Sequence, residues 1–89
     1  MVRREVVIVN ALGLHARAAA RFVQVANGFK SRILVQRETR TADGKSILGL
    51  LALIAGPGTR LSISTDGPDE REALAALVGL VAGSFGEEQ

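Results

Sequence analysis

The sequence predicts an α+β domain, an open-faced sandwich in which helices cover one face of a four-stranded sheet. Stretches of alternating hydrophobicity recur four times, stretches of helical apolar spacing recur three times, and their order is βαββαβα. At 89 residues the chain is one domain, residues 1–89, large enough for a single core. Hydrophobic content of 47% is ample for that core. The only aromatics are three phenylalanines, so Val, Ile, Leu and Ala must fill the interior.

The first strand lies in the β-branched stretch 4–9, with Val6 and Ile8 on the core face and Glu5 on the other. Residues 10–13 turn into the first helix, with Gly13 permitting the sharp corner. That helix covers 16–27: Ala19, Phe22, Val23 and Ala26 form its buried stripe, and Arg17, Arg21 and Gln24 its outer face. Asn27-Gly28 is a C-terminal stop. The second strand, 31–36, turns Ile33 and Val35 inward. A short threonine-rich strand follows at 39–42, with the turn at Arg37-Glu38, although neither residue favours positive φ.

Asp43-Gly44 is a stronger turn, and Ser46 caps a helix over 47–54 that is apolar almost all round. Two helical turns cannot bury so many leucines and isoleucines against one sheet, so part of this helix should be an exposed docking surface. The last strand, 60–65, turns Leu61 and Ile63 inward. Asp66-Gly67-Pro68-Asp69-Glu70 starts the final helix, with Pro68 in its first turn and Leu74, Leu77, Val78 and Val81 as its buried stripe. Gly83-Ser84 ends it, and Glu87-Glu88-Gln89 reads as a frayed tail.

Composition removes several function classes. With no cysteine there is no disulfide, no thiolate nucleophile and no Cys-based metal site, and one histidine makes no His cluster, so neither metal nor cofactor is expected. The net charge of +2 is small and its basic residues are scattered. There is no Tyr or Trp, and Phe22, Phe29 and Phe85 fall at helix or loop positions, so base stacking has no platform and nucleic-acid binding is rejected. No apolar run is long enough for membrane insertion and no signal peptide is evident, which points to a cytoplasmic protein.

The chemistry concentrates at His15, where the alternating pattern stops and the helical one starts. An imidazole there sits beside unpaired backbone N–H groups and the positive end of the helix dipole, a setting that receives anions and phosphate above all. The plainer alternative is a surface histidine or simple N-cap. No Ser–His–Asp arrangement is readable. A neutral imidazole can still attack a phosphoryl group without an activating base, with backbone N–H groups and the Arg17 guanidinium holding the oxygens. The resulting phosphoramidate is labile, which suits a carrier rather than an enzyme.

Gly13-Leu14-His15-Ala16-Arg17, followed by Ala19-Ala20 and Phe22-Val23, closely resembles the active-site signature of the HPr family, the histidine phosphocarriers of the bacterial phosphoenolpyruvate:sugar phosphotransferase system. Asp43-Gly44-Lys45-Ser46-Ile47-Leu48-Gly49-Leu50-Leu51 resembles the second family signature, around a regulatory serine. The likeness covers essentially the whole chain. It implies a four-stranded antiparallel sheet of order 1-4-2-3 with three helices on one face. It further implies that enzyme I delivers a phosphoryl group to Nδ1 of His15, that Arg17 helps hold it, and that enzyme IIA acceptor domains receive it. Ser46 then matches the site of the family's kinase/phosphorylase, although it reads equally as a plain N-cap. Ala20, Arg21, Lys45, Ile47, Leu48 and Leu51 are the candidate partner-binding residues, the basic ones suiting an acidic partner or being simply solvated. A monomer is expected. The alternative function is a regulatory or nitrogen-related HPr-like protein acting through protein binding. The chain departs from the family at Ala18, where proline is usual, and carries leucines at 48 and 51 where methionine is common.

Overall fold

The computed structural model describes residues 1–87. Its elements run β1 (Val2–Val7), α1 (Ala16–Ala26), β2 (Arg32–Arg37), β3 (Arg40–Asp43), α2 (Ile47–Leu51), β4 (Arg60–Asp66) and α3 (Glu70–Ala82), followed by a 3-10 turn, Ser84–Gly86. The strands form one antiparallel sheet in the order β1-β4-β2-β3. Alternation assigns its faces: Ile33, Val35, Ala42, Leu61 and Ile63 point into the core, while Arg32, Arg60 and Thr41 face solvent. The helices cover the apolar face. Phe22, Ala19 and Ala26 of α1, Leu50 of α2 and Leu77 and Val81 of α3 meet the sheet residues in one cluster. Each large aliphatic or aromatic side chain so buried contributes roughly 1.5–3 kcal/mol.

Several boundaries differ from expectation, each for a local reason. β1 ends at Val7, yet Ile8 remains in the core, 1% exposed, because its N–H bonds Thr59 and its carbonyl receives the N–H of Gly58. The β2–β3 turn is Glu38-Thr39 rather than Arg37-Glu38: Arg37 pairs with Arg40, and Glu38 takes the left-handed conformation at φ 54°. α2 stops at Leu51 instead of 54, because the chain leaves the helix and Ile54 turns left-handed at φ 53°. Arg37 fixes that exit by donating from Nη1 to the carbonyls of Leu53 and Ile54, both at 2.8 Å.

α3 starts at Glu70, so Pro68 precedes the helix. Asp69 occupies the cap position but its carboxylate points elsewhere, accepting from the N–H of Lys30 and Ser31 at 2.9 Å and from the Ser31 hydroxyl at 2.5 Å. In the α3 stripe, Ala73 is fully buried and Leu74 and Leu80 pack at its margin, whereas Val78 stays half-exposed beside β1. The tail is not frayed at Glu87. Ser84, Phe85 and Gly86 take φ of 57°, 56° and 77°, which turns Phe85 back into the core with none of its surface exposed. Glu88 and Gln89 lie outside the described residues.

Candidate functional site

The site begins with Gly13. At φ 67° its backbone is left-handed, and a Cβ there would stand 2.6 Å from the carbonyl oxygen of Ala55. Only glycine lets the 10–15 loop lie this close to the 55–56 segment, where the Leu14 N–H bonds the Ala55 carbonyl at 2.8 Å. With Leu14 buried as an anchor, His15 becomes the N-cap of α1 in extended conformation, and its carbonyl accepts the Ala19 N–H at 2.8 Å.

The imidazole is held on both sides. Nδ1 accepts from the Arg17 backbone N–H at 3.3 Å, and Nε2 lies 2.5 Å from Oε2 of Glu87. An ionised carboxylate can only accept, so Nε2 carries the proton and Nδ1 presents its lone pair to the helix terminus. The Glu87 carboxyl is held below the ordinary carboxylate range, first by the His15 hydrogen bond, then by the Asn10 amide and the charge of Arg17. The first-turn N–H groups of α1 have no acceptor further back in the helix, and that turn contains no acidic residue. α3, by contrast, opens with Glu70 and Glu72. The positive end of α1 thus meets no acid from its own first turn, and the nearby carboxylate is Glu87 from the tail.

The other predicted residues are distributed unevenly. The Arg17 side chain is exposed and lines a shallow depression with Leu12, Arg21 and Glu87. Arg21 is partly committed, donating from Nη1 to the Phe85 carbonyl at 3.1 Å. Ala20 is exposed on α1. Lys45 lies apart from His15, with its ammonium donating to the Phe29 carbonyl at 2.8 Å. Ser46 is the N-cap of α2, its Oγ accepting the Gly49 N–H at 3.0 Å.

Of the apolar set, Ile47 and Leu48 are exposed by 40% and 80%, and Leu51 is half-buried in a depression it shares with His15, Leu12 and Ile54. Leu12 and Ile54, 71% and 70% exposed, extend this patch; Ile54 belongs to the apolar stretch 47–54 expected to be partly exposed, but neither was among the candidate partner-binding residues. Leu12, an apolar residue in the turn before a helix, carried no periodicity to mark it. Glu87 was missed for a similar reason, since nothing local distinguishes it from a charged tail.

A family model described as "PTS HPr component phosphorylation site" matches residues 2–83. The chain belongs to the PTS-HPr family. Its relatives include the phosphocarrier protein HPr of Cupriavidus necator, 48% identical over 98% of both chains. The HPr-like protein Crh of Halalkalibacterium halodurans is 41% identical over 91% of this chain and 96% of its own. Among solved structures, HPr-C-His from Thermoanaerobacter tengcongensis superposes over 100% of both chains with a TM-score of 0.96 and 43% identity. The sheet order 1-4-2-3 and the helix-covered face are those of an HPr fold.

Proposed function

We propose that this member of the PTS-HPr family is a monomeric phosphocarrier that takes a phosphoryl group on Nδ1 of His15 from phospho-enzyme I and passes it to enzyme IIA domains. The observation that carries the reading is the lone pair of Nδ1 directed at a helix whose own first turn holds no acidic residue. In the transfer, that lone pair attacks phosphorus and the bond to the donor breaks, its electron pair leaving with the donor atom. The contact from the Arg17 N–H is long and exposed, so it yields readily to the incoming group. The first-turn N–H groups and the Arg17 guanidinium then face the phosphoryl oxygens.

Docking falls to the apolar patch around the ring, Ile47, Leu48 and Leu51 together with Leu12 and Ile54. Ala20 and the cations of Arg17 and Arg21 lie on the α1 side, and Lys45 adds charge from the far side of Ser46. Phosphorylation of Ser46 by the family's kinase would place an anion beside this patch and oppose docking. The protein acts in the cytoplasm as a single domain, without metal or cofactor.

Incubation with phosphoenolpyruvate and enzyme I should add one acid-labile phosphoryl group, seen by mass spectrometry, and His15→Ala should take none. A regulatory HPr-like protein acting through contact alone would remain unphosphorylated in the same experiment.

A further inference from the structure

We infer that the groove between the free edge of β1 and helix α3 receives an extended segment of a partner protein, acidic and apolar, which joins the sheet as a fifth strand. The groove shares no residue with the His15 site and does not depend on the phosphocarrier reading.

β1 is an edge strand, paired with β4 alone. The N–H of Ile8 bonds the Thr59 carbonyl, and that contact sets the alternation along the strand. In an antiparallel ladder, residues in step with Ile8 turn their backbone groups to the partner strand and the others turn them away. The N–H and carbonyl groups of Arg3, Glu5 and Val7 therefore face the open edge. The sheet's other edge, β3, is four residues long, whereas β1 runs for six. An edge of that length is a template for another strand unless something covers it.

α3 supplies the floor. Val2 and Arg4 of β1 line the groove with Arg71, Leu74, Ala75 and Val78 of α3. A surface helix ordinarily turns charged and polar side chains outward, as α1 does with Arg17, Arg21 and Gln24. α3 does not. From Ala73 to Gly86 the chain carries no charged residue, and beyond Glu72 the exposed positions of the helix are Ala75, Gly79 and Ala82. Leu74 and Val78 are half-buried, so each still offers apolar surface to an occupant.

Charge selects that occupant. Arg4 and Arg71 are exposed, and among the described residues neither forms an ion pair. Glu70, the acid that feels the charge of Arg71, is taken by the Met1 ammonium at 3.3 Å and the Gly67 N–H at 3.2 Å. The contact between Met1 and Glu70 also sets the start of α3 beside the start of β1, so the cations lie at that end of the groove and Val78 further along. An antiparallel segment matches both features if it ends in a carboxylate and carries small apolar side chains at alternate positions before it. A second copy of this chain would instead set Arg4 and Arg71 against the same cations across a two-fold axis, which disfavours it.

The probe is the peptide Ser-Val-Ser-Val-Ser-Asp, capped at both ends and titrated into isotope-labelled full-length protein by NMR. The amide signals of Arg3, Glu5 and Val7 and of the α3 turn from Leu74 to Val78 should shift, and binding should weaken in high salt. Arg71→Glu, which keeps an acid-tolerant first helical turn, should weaken binding about fivefold or more, as a surface attraction turned to repulsion predicts. Glu5→Pro removes an outward N–H and spares the bonds to β4, so it should abolish binding; if that variant fails to fold, Arg71→Glu decides alone. His15→Ala should bind as the parent does, and this result stands whether or not the phosphocarrier reading does. The proposal is overturned if the shifts fall on the His15 loop and α2, or if a peptide ending in Lys binds equally well. It is equally overturned by affinity unchanged in Arg71→Glu, by no shift up to the solubility limit of the peptide, or by sedimentation showing β1 sealed in a dimer of this chain.

Discussion

Ile54 offers a sharp test because its side chain and its backbone make opposite demands. It is β-branched, 70% exposed and left-handed at φ 53°, a conformation that costs an ordinary residue about 1–2 kcal/mol. Glycine removes that cost and gives back roughly 0.5–1 kcal/mol through its freer unfolded chain. The little burial at stake leaves Ile54→Gly neutral to stabilising, by about 0.5 kcal/mol. Leu48 is the control: 80% exposed in the same patch, it lies in regular helix, where glycine costs about 1 kcal/mol. Two glycines at two exposed apolar residues should thus differ by about 1.5 kcal/mol, or roughly 6–12 °C in Tm. Urea melts with unchanged m-values would read the difference as a shift in midpoint. Both variants should bind enzyme I more weakly, since each strips an apolar side chain from the patch. If Ile54→Gly loses as much stability as Leu48→Gly, the left-handed backbone stores no strain and the reasoning fails. A gain would mean that stability is sacrificed to hold an apolar side chain out toward a partner.

Arg17→Ala should slow phosphoryl transfer while leaving the melting temperature unchanged, because the guanidinium is exposed and only the backbone N–H serves the cap; stopped-flow rates equal to the parent's would count against it. Ser46→Ala should cost about 1 kcal/mol in a denaturant melt through loss of the bond to Gly49. Ser46→Asp should keep the melting temperature and raise the KM for the carrier in the enzyme I reaction, partly relieved by salt, and an unchanged KM would leave Ser46 only a cap. The Asp69 carboxyl is held below its ordinary value by the Ser31 hydroxyl and the Lys30 and Ser31 N–H groups. Its contribution to stability is therefore complete above the ordinary carboxylate value and lost as pH falls through the lowered one. Asp69→Asn should flatten that acid limb in melts recorded between neutral pH and strong acid, and an unaltered limb would refute the assignment.

The parts of this protein that were legible in its sequence are those governed by short-range periodicity. The alternation of Ile33 and Val35, or of Leu61 and Ile63, fixes which face of the sheet is buried, because a slip of one residue would turn every apolar side chain outward. His15 stood out because a cap, a glycine and a helical stripe meet within a dozen residues. The Glu38-Thr39 turn was misplaced because neither residue favours the left-handed conformation that Glu38 adopts, and strand pairing overrides the propensity. Glu87 was misread for the opposite reason. The order of its segment comes from contacts of Phe85 with Arg21, 64 residues back, and of Glu87 with Asn10, 77 residues back, which no local pattern encodes.

The bond between His15 and Glu87 spans 72 positions, almost the whole described chain. During synthesis, then, the histidine emerges 72 positions before its acid and waits for it over that interval. β1 waits likewise for β4, its partner in the sheet. A nascent chain therefore exposes an imidazole without the group that would settle its proton, so the same event that completes the core also completes the site. Addition or clipping of residues near position 87 would then change the hydrogen bonding of the ring at position 15 while leaving the sheet unaltered.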